Sequence, residues 1–505
     1  MRELLKVNEI KSKQTYTIIN YCVFLLFVFS PHTGFGQNNE YVPARHTVTL
    51  KEAHIGSFHI DSLLLDSYED VPKNVKAFYF DARNVFTGYD QAGFSDTRII
   101  KFARKHRIPL LGGPMLGNLK ENGVTIWFRP VKSTRLRVKV KGADHREKKT
   151  YFIDSLVPGE AKSVVIDGLS EDAHYNYAIF RRFRKIAEGS FRTATVPGED
   201  GFFKLAFGSC FHKIGLHNPN LINQILIHEP HTMILTGDIA VDDRYNNINM
   251  HRADYLLRDV SMAWNDLTAN VPLYTAWDDH DYLDNDLSGI PDSLTVKDQQ
   301  ALREIWYENW NNPEYKGEGI YFNERIGPVE LIMLDTRSCR EVERRGEYGA
   351  YLGLKQQKWL TEVLKQSTAP YKIITSGTMW SDYISNGKDS WGTWDTIARK
   401  EIFSLIEKEH ISGVILISGD RHGARAYKIP VSEELSLYEL QVASLGGVPG
   451  PRAIARDSTD QIFGYTGNEI TAFGMITVNS KKEDNRVVFR LIDESGGVME
   501  EFTLF

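Results

Sequence analysis

Residues 271–286 read VPLYTAWDDHDYLDND, an apolar run that leads into five aspartates and one histidine. The first half has the short, apolar and aromatic composition of a buried β-strand. The second half places five carboxylates around His280 within ten positions, where like charges repel one another. Three structures would explain such a stretch: a solvated acidic loop, a calcium-binding loop, or one corner of a catalytic metal centre.

The same pattern recurs along the chain. Four more apolar runs lead into a cysteine, an aspartate or a histidine: FFKLAFGSC (202–210), HTMILTGDIA (231–240), VELIMLDTR (329–337) and GVILISGDRH (413–422). Helical patterns such as NPNLINQILIHEP (218–230) lie between them, and this alternation predicts an α/β domain with covered sheets. Because ligands bind at the carboxyl ends of strands in such domains, we expect these polar residues to lie together.

Several carboxylates are tolerated in one site when a cation neutralises them. Aspartate, histidine and cysteine form a ligand set that suits iron, zinc or manganese, with calcium at an all-oxygen position. Two such ions, bridged by one carboxylate, would clamp the oxygens of an in-line displacement. The polar strand ends therefore favour phosphoester chemistry.

Six motifs follow one another after the first third of the chain: FGSC (207–210), TGDIAVDD (236–243), WDDHDYLDND (277–286), MLDTRSCR (333–340), LGLKQQKWL (352–360) and SGDRH (418–422). This series resembles that of the PhoD-like alkaline phosphatases, in the calcineurin-like metallophosphoesterase superfamily. The resemblance runs from about residue 109 to the C-terminus. It implies an α/β core of two packed mixed sheets flanked by helices. It also implies an exported enzyme that hydrolyses phosphomonoesters or phosphodiesters by in-line attack of metal-bound hydroxide.

The resemblance also implies a role for each matching residue. The implied metal ligands are Cys210, Asp238, Asp279, Asp420 and His422. Among them Asp238 would bridge two or more metal ions, which the resemblance gives as iron and calcium, with zinc or manganese as alternatives. His280 would orient the phosphate or protonate the leaving group, and Asp281 would support it. Arg337 is a candidate phosphate contact, because a guanidinium matches phosphate geometry in a bidentate way.

One position departs from the family pattern. Members usually carry a tyrosine that can ligate ferric iron three residues after the GD aspartate, and here that position is Val241. An iron–tyrosinate bond cannot form from a valine, which leaves the identity of the metal open. Tyr245 lies nearby in sequence, without a geometric reason to replace the missing tyrosine.

Several residues have simpler interpretations. Cys210 could be a buried cysteine or could form a disulfide with Cys339. Asp335 is either a site residue or a structural partner of a nearby arginine, and the tryptophans near residue 390 either line a pocket or pack in the core. Six other histidines are expected to be surface or structural residues: His212, His217, His228, His231, His251 and His410.

Asp284 and Asp286 begin a D-x-D-x-S-G pattern like that of an EF-hand loop. The twelfth position would be Thr295, where an EF-hand needs a bidentate glutamate, so the sequence argues against one. We expect Asp284 and Asp286 at the rim of the site instead. The chain also lacks a G-x-S-x-G elbow and a P-loop, which argues against serine hydrolase and P-loop chemistry.

The first 200 residues are predicted to hold three units. Residues 1–36 have the basic start, the short apolar run and the small residues of a signal peptide, which predicts a secreted or periplasmic protein without a transmembrane anchor. In residues 37–105, KAFYFDARNVF (76–86) suggests a strand and DTRIIKFARKHR (96–107) a helix, with no assigned function. Alternating strands over residues 106–197 predict a small β-sandwich that resembles a fibronectin type III module, and residues 202–505 form the phosphoesterase domain.

A phosphate ester is the expected partner, and the sequence gives no oligomeric state. The chain has 505 residues, a net charge of −6 and no basic block, which argues against nucleic acid as the main partner. The alternative function is a non-catalytic extracellular protein that binds structural calcium and serves in adhesion. A structural calcium loop would draw its ligands from one short segment, whereas the candidate ligands here are spread over distant strand ends.

Overall fold

The computed structural model describes residues 41–68, 70–143, 147–199, 201–241, 243–244, 247–385, 387, 389–481 and 485–505. The predicted signal peptide and Tyr245 lie outside these residues. From Glu40 onward the chain packs as one unit. None of the helices in the described part of the chain is both long enough and apolar enough to cross a bilayer.

The segment of unassigned function begins with four helices: α1 (Leu50–Ile55), α2 (Phe58–Leu65), α3 (Lys73–Gly88) and α4 (Thr97–Lys105). The strand expected at residues 76–86 is wrong, because this stretch is part of α3. Its buried residues include Phe78, Tyr79, Ala82 and Phe86, whose spacing of three or four residues fits a helix that packs on the core. The predicted helix that follows residue 96 is confirmed as α4, with Asp96 as its N-cap.

Seven strands follow in the chain: β1 (Leu110–Lys120), β2 (Gly123–Pro130), β3 (Leu136–Gly142), β4 (Lys148–Ile153), β5 (Lys162–Ile166), β6 (His174–Arg181) and β7 (Arg184–Arg192). They form two antiparallel sheets, one in the order β1-β2-β5 and the other in the order β4-β3-β6-β7. Leu136, Val138 and Val140 are the buried alternate residues of β3. These strands lie within the range predicted for the sandwich, and the fibronectin-like assignment stays a prediction.

A six-stranded mixed sheet has the order β10-β9-β8-β18-β19-β20. Its strands are β8 (Phe202–Gly208), β9 (Thr232–Thr236), β10 (Leu273–Ala276), β18 (Ala472–Asn479), β19 (Arg486–Asp493) and β20 (Val498–Thr503). The first helices of this region are α5 (Pro219–Ile227), α6 (His251–Asp259), α7 (Met262–Asn270), α8 (Asp279–Tyr282) and α9 (Val296–Asn309).

A seven-stranded mixed sheet has the order β11-β12-β13-β14-β16-β15-β17. Its strands are β11 (Phe322–Ile326), β12 (Val329–Met333), β13 (Tyr371–Thr375), β14 (Val414–Ser418), β15 (Gly423–Pro430), β16 (Ser436–Ala443) and β17 (Gln461–Thr466). The remaining helices are α10 (Gly353–Gln366), α11 (Trp391–Trp394) and α12 (Thr396–Lys408). Two mixed sheets with helices agree with the α/β architecture that the motif series implies.

Each of these two sheets contains a strand that is buried along its whole length. Every residue of β9 and of β14 is buried, as expected for parallel strands that are covered on both faces. In the six-stranded sheet, β8, β9 and β10 are parallel to one another, so the loops that follow them leave from the same edge. The backbone N–H of Ser209, just after β8, donates to the carbonyl of Val442 in β16 and links the two sheets at this edge.

Candidate metal centre

The loops that follow the strands have strained backbone conformations. Cys210, His212, Asp238 and Asp420 have φ angles of 60°, 49°, 53° and 65°. Non-glycine residues in this left-handed region cost about 1–3 kcal/mol each, and such residues cluster at functional sites. Hydrogen bonds between loops hold them in place: Cys210 N–H donates to Gly237 O (3.1 Å), and His212 N–H donates to Asp238 O (3.0 Å).

The first group of candidate ligands consists of Cys210, His212, Asp238 and His422, whose ligand atoms lie within 4.8 Å of one another. Cys210 Sγ lies 3.3 Å from Asp238 Oδ2, and the Nε2 atoms of the two histidines are 2.8 Å apart. His422 Nδ1 lies 2.6 Å from Pro449 O. This backbone contact orients the ring so that Nε2 points towards the group.

The second group consists of Asp238, Asp278 and Asp279, again with ligand atoms within 4.8 Å. Asp238 belongs to both groups, as expected for a carboxylate that bridges two metal ions. Asp279 Oδ2 accepts a hydrogen bond from the backbone N–H of Asp286 (2.7 Å). Asp284 and Asp286 are half-buried, in agreement with the rim position expected for them.

The electrostatics of these groups follow from burial and mutual repulsion. Burial and the neighbouring Asp279 raise the pKa of Asp238 well above its ordinary value. Burial and Asp238 likewise raise the pKa of the Cys210 thiol. Burial and the neighbouring His212 lower the pKa of His422 to about 3. The protein alone therefore favours a protonated Asp238, a protonated Cys210 and a neutral His422 at this site.

The residues fit a metal centre. Asp238 Oδ1 and Asp420 Oδ2 are buried oxygens with no hydrogen-bond partner among the described residues. A buried carboxylate oxygen without a donor costs free energy, and a cation would remove this cost. The thiol, imidazole and carboxylate donors of the first group form a set that transition metals prefer, whereas the second group offers oxygens alone.

His280 is held by the carboxylate of Asp243, which was not among the predicted site residues. Its Nδ1 lies 2.6 Å from Asp243 Oδ1, and its side chain is only 7% exposed. Burial lowers the pKa of His280, but Asp279 and Asp243 outweigh burial and raise the pKa well above its ordinary value. The other oxygen of Asp243 lies 2.8 Å from His54 Nδ1. His54 comes from α1, in the segment without an assigned role.

The structure places Arg337 against carboxylates, and its predicted contact with phosphate stays a prediction. Its side chain is fully buried, with Nε 2.5 Å and Nη2 2.9 Å from the two oxygens of Asp278. Its Nη1 lies 2.7 Å from Asp389 Oδ2. Because these carboxylates surround the guanidinium, Arg337 neutralises the acidic cluster from inside the protein.

Asp281 and Asp335 have supporting positions. Asp281 Oδ1 accepts from the backbone N–H groups of Ile239 and Ala240 (3.0 and 3.3 Å) and so fixes the loop after Asp238. Asp335 Oδ1 accepts from Trp277 Nε1 and from the backbone of Arg337 (2.9 and 3.1 Å). Asp335 is therefore a structural residue beneath the site, one of the two interpretations left open by the sequence.

Three further expectations have clear outcomes. His212 was expected to be a surface or structural residue; its side chain is fully buried in the first candidate group, so it is not at the surface, and a structural role stays a prediction. Asp420 was predicted as a ligand, but its carboxylate joins none of the groups found among the described residues, and its backbone carbonyl lies 3.7 Å from Cys210 Sγ. Cys210 and Cys339 are both free thiols, so they form no disulfide.

The sequence contained a signal for His212, since it lies two residues after Cys210 at the same strand end. Asp243 ends the quoted motif TGDIAVDD, although nothing in the motif distinguishes it from its neighbours. Trp380 and Trp391 are buried and stacked with ring centroids 4.5 Å apart, so they pack in the core.

The PhoD-like phosphatase family model matches residues 236–456. This match covers less than half of the chain and marks a similarity to the PhoD-like phosphatases. A curated relative, alkaline phosphatase D of Bacillus subtilis (strain 168), is 24% identical over 263 residues. The alignment covers 44% of this chain and 43% of that relative, so the chain spans less than half the length of the relative it matches.

Two solved structures are similar in fold to this chain. A structure of PhoD has a TM-score of 0.61 at 16% identity, covering 79% of this chain and 92% of that one. Purple acid phosphatase PPD1 from yellow lupin (Lupinus luteus) seeds has a TM-score of 0.56 at 14% identity, covering 77% and 73%. The family match contains Asp238, Asp279 and His280, while Cys210, His212 and His54 lie before it.

Proposed function

We propose that this PhoD-like protein is an exported, metal-dependent phosphoesterase that hydrolyses phosphomonoesters or phosphodiesters. The observation that carries the proposal is the position of Asp238, a buried carboxylate shared between two groups of candidate ligands. The match of residues 236–456 to the PhoD-like phosphatase family supports a phosphate ester as the substrate. Export rests on the signal peptide predicted for residues 1–36, outside the described residues.

The first metal ion would be held by Cys210, His212, Asp238 and His422, and the second by Asp238 and Asp279. Asp279 is a better ligand than Asp278, because both oxygens of Asp278 accept from Arg337. Iron suits the first site and calcium the all-oxygen second site, with zinc or manganese as alternatives. Bound cations would lower the pKa of a coordinated water and offset the charge of the phosphoryl group.

His280 would donate a proton to the leaving-group oxygen. Its contact with Asp243 at Nδ1 leaves Nε2 as the atom that meets the substrate. The surrounding carboxylates, which raise the pKa of His280, keep the ring protonated at neutral pH. When the P–O bond breaks, the electron pair stays on the leaving oxygen and the Nε2 proton neutralises it.

Substitution of the shared carboxylate tests the proposal. Asp238→Ala should reduce turnover of a phosphoester panel by more than the roughly 10²–10³-fold cost of losing one transition-state donor, because both metal sites lose a ligand. Asp292→Asn, at an exposed aspartate, is the matched control and should retain activity. Steady-state kinetics and circular dichroism would separate loss of chemistry from loss of fold.

Near wild-type turnover by Asp238→Ala would overturn the assignment of the centre. Metal analysis of the wild-type protein gives an independent result. Transition metal together with turnover supports the enzyme. Calcium alone, with no turnover on any ester, would favour the alternative of a calcium-binding adhesion protein.

A further inference from the structure

Helix α1 brings His54 to the candidate centre from a segment that precedes the family match. His54 Nδ1 lies 2.8 Å from Asp243 Oδ2, and His280 Nδ1 lies 2.6 Å from Asp243 Oδ1. The two imidazole rings are 4.6 Å apart between centroids, and the ring of His212 is 5.6 Å from that of His54. One carboxylate thus joins a histidine of the catalytic domain to a histidine of the N-terminal segment.

The C-terminal end of α1 is fixed by buried cations. Lys213 Nζ donates to the carbonyl of Ala53 (3.3 Å), and the same ammonium lies 3.2 Å from Asp254 Oδ1. Arg83 Nη2, from α3, donates to the carbonyl of Gly56 (2.6 Å). These two carbonyls lie on either side of His54 in the chain, so the position of the imidazole is set from both sides.

The catalytic domain supplies one of these cations directly beside a candidate ligand. Lys213 follows His212 in the chain, and its side chain is fully buried. A buried lysine needs a paired charge or hydrogen-bond acceptors, and here Asp254 and α1 provide them. The docking of α1 is therefore part of the same packed region as the centre.

We propose that His54 is a positioning residue for His280. By donating from Nδ1 to Asp243 Oδ2, it holds this carboxylate in the orientation that His280 Nδ1 requires. The proposal rests on the proposed function, in which His280 protonates the leaving group. It gives the segment before residue 106 a role in the reaction.

The physical reason is the two-point attachment of Asp243. With both oxygens engaged, the carboxylate cannot turn about its χ2 torsion without losing a charge-assisted hydrogen bond. Without His54 the carboxylate can rotate, and the Nε2 proton of His280 is directed less accurately. A leaving group that departs as a stable anion needs this proton little, whereas an alkoxide needs it strongly.

The kinetic test compares two leaving groups. His54→Ala should lower kcat/KM for an alkyl phosphate about 10–100-fold, the usual range for losing a partner that orients a site residue. The same variant should lower kcat/KM for p-nitrophenyl phosphate by less than about threefold, because nitrophenolate leaves without a proton. His54→Asn places an amide nitrogen near the Nδ1 position and should recover most of the activity on the alkyl ester.

His59→Ala is the matched control, because His59 is an exposed histidine on the neighbouring helix α2. It should behave as the wild-type protein on both esters. Equal losses of kcat/KM on the two esters in both His54 variants would show that His54 has a structural role only. Unchanged kinetics in His54→Ala would remove it from the reaction altogether.

His54, Asp243 and His280 also form a group of ligand atoms within 4.8 Å, so a metal count is part of the test. Loss of one equivalent of bound metal in His54→Ala would make His54 a ligand and overturn the positioning role. If the wild-type protein hydrolyses no phosphoester, the proposed function is wrong, whether or not His54 positions His280. NMR spectra of ¹⁵N-histidine-labelled protein test that positioning separately, because His54→Ala should shift the His280 ring resonances and His59→Ala should not.

Discussion

Arg337 and its carboxylate partners are deeply buried charges beside the centre. Asp278 takes two hydrogen bonds from the guanidinium, and Asp389 takes a third contact from the opposite side. Burial lowers the pKa of Arg337, but Asp278 and Asp279 outweigh burial, and the pKa lies well above its ordinary value. The guanidinium therefore stays charged and makes a dense acidic cluster compatible with folding.

Removal of this guanidinium should destabilise the protein. Arg337→Ala leaves buried carboxylates without their partner, so the free energy of unfolding should fall by about 3–5 kcal/mol in the metal-free protein. Denaturant titration measures this change. Arg344→Ala, at a partly exposed ion pair, should cost less than about 1 kcal/mol. Unchanged stability together with a raised KM in Arg337→Ala would instead restore the phosphate-binding role.

At the scale of elements, the centre depends on loops that turn sharply after buried strands. The loop after β8 places Cys210 and His212 in left-handed conformations within three residues, so both side chains reach the same group. The family tyrosine position is occupied by Val241, which is fully buried. The imidazole of His212 offers a nitrogen donor in the first candidate group, together with Cys210, Asp238 and His422.

This loop predicts a distinctive metal dependence. His212→Ala should reduce bound transition metal by about one equivalent, since a thiol, a carboxylate and one imidazole hold it less tightly. Elemental analysis checks this result. His410→Ala, at an exposed histidine, is the control and should keep the wild-type metal content. Unchanged metal content in His212→Ala would contradict the ligand role of His212.

At the scale of the whole molecule, two sheets, the loops between them and an N-terminal helix converge on one buried acidic region. Burial raises the pKa of Asp238, of Asp420 and of the Cys210 thiol well above their ordinary values. The metal-free protein therefore holds protons where metal ions would bind. Folding, protonation and metal binding are linked through the same side chains.

Metal binding should release protons. At neutral pH the ligands with raised pKa values must lose their protons to coordinate a cation, so metal affinity should rise with pH and fall as the pH is lowered. Calorimetric titration of the metal-free protein in buffers of different ionisation enthalpy counts the released protons. Asp238→Asn should release fewer protons than the wild-type protein. Binding that is independent of pH would contradict this linkage.

Local sequence patterns were enough to predict which strands end at the centre. Cys210, Asp238 and Asp279 each follow an apolar run, and parallel strands bring such residues to one edge. The same local pattern singled out His280 between two aspartates. The expected proximity of Cys210, Asp238 and Asp279 agrees with the structure, because it depends on hydrophobic periodicity and on residues that are neighbours in the chain. By contrast, the aromatic and apolar run in α3 was predicted to be a strand and is a helix, because a short run of this kind suits either structure.

The packing of whole elements determines which residues distant in sequence meet. His54 and Asp243 are 189 positions apart, and no local pattern links them. The partners of Arg337 could not be predicted for the same reason, because separate loops bring Asp278 and Asp389 to it. Burial and long-range ion pairing depend on the packing of whole elements, whereas a sequence pattern records only the local preferences of each one.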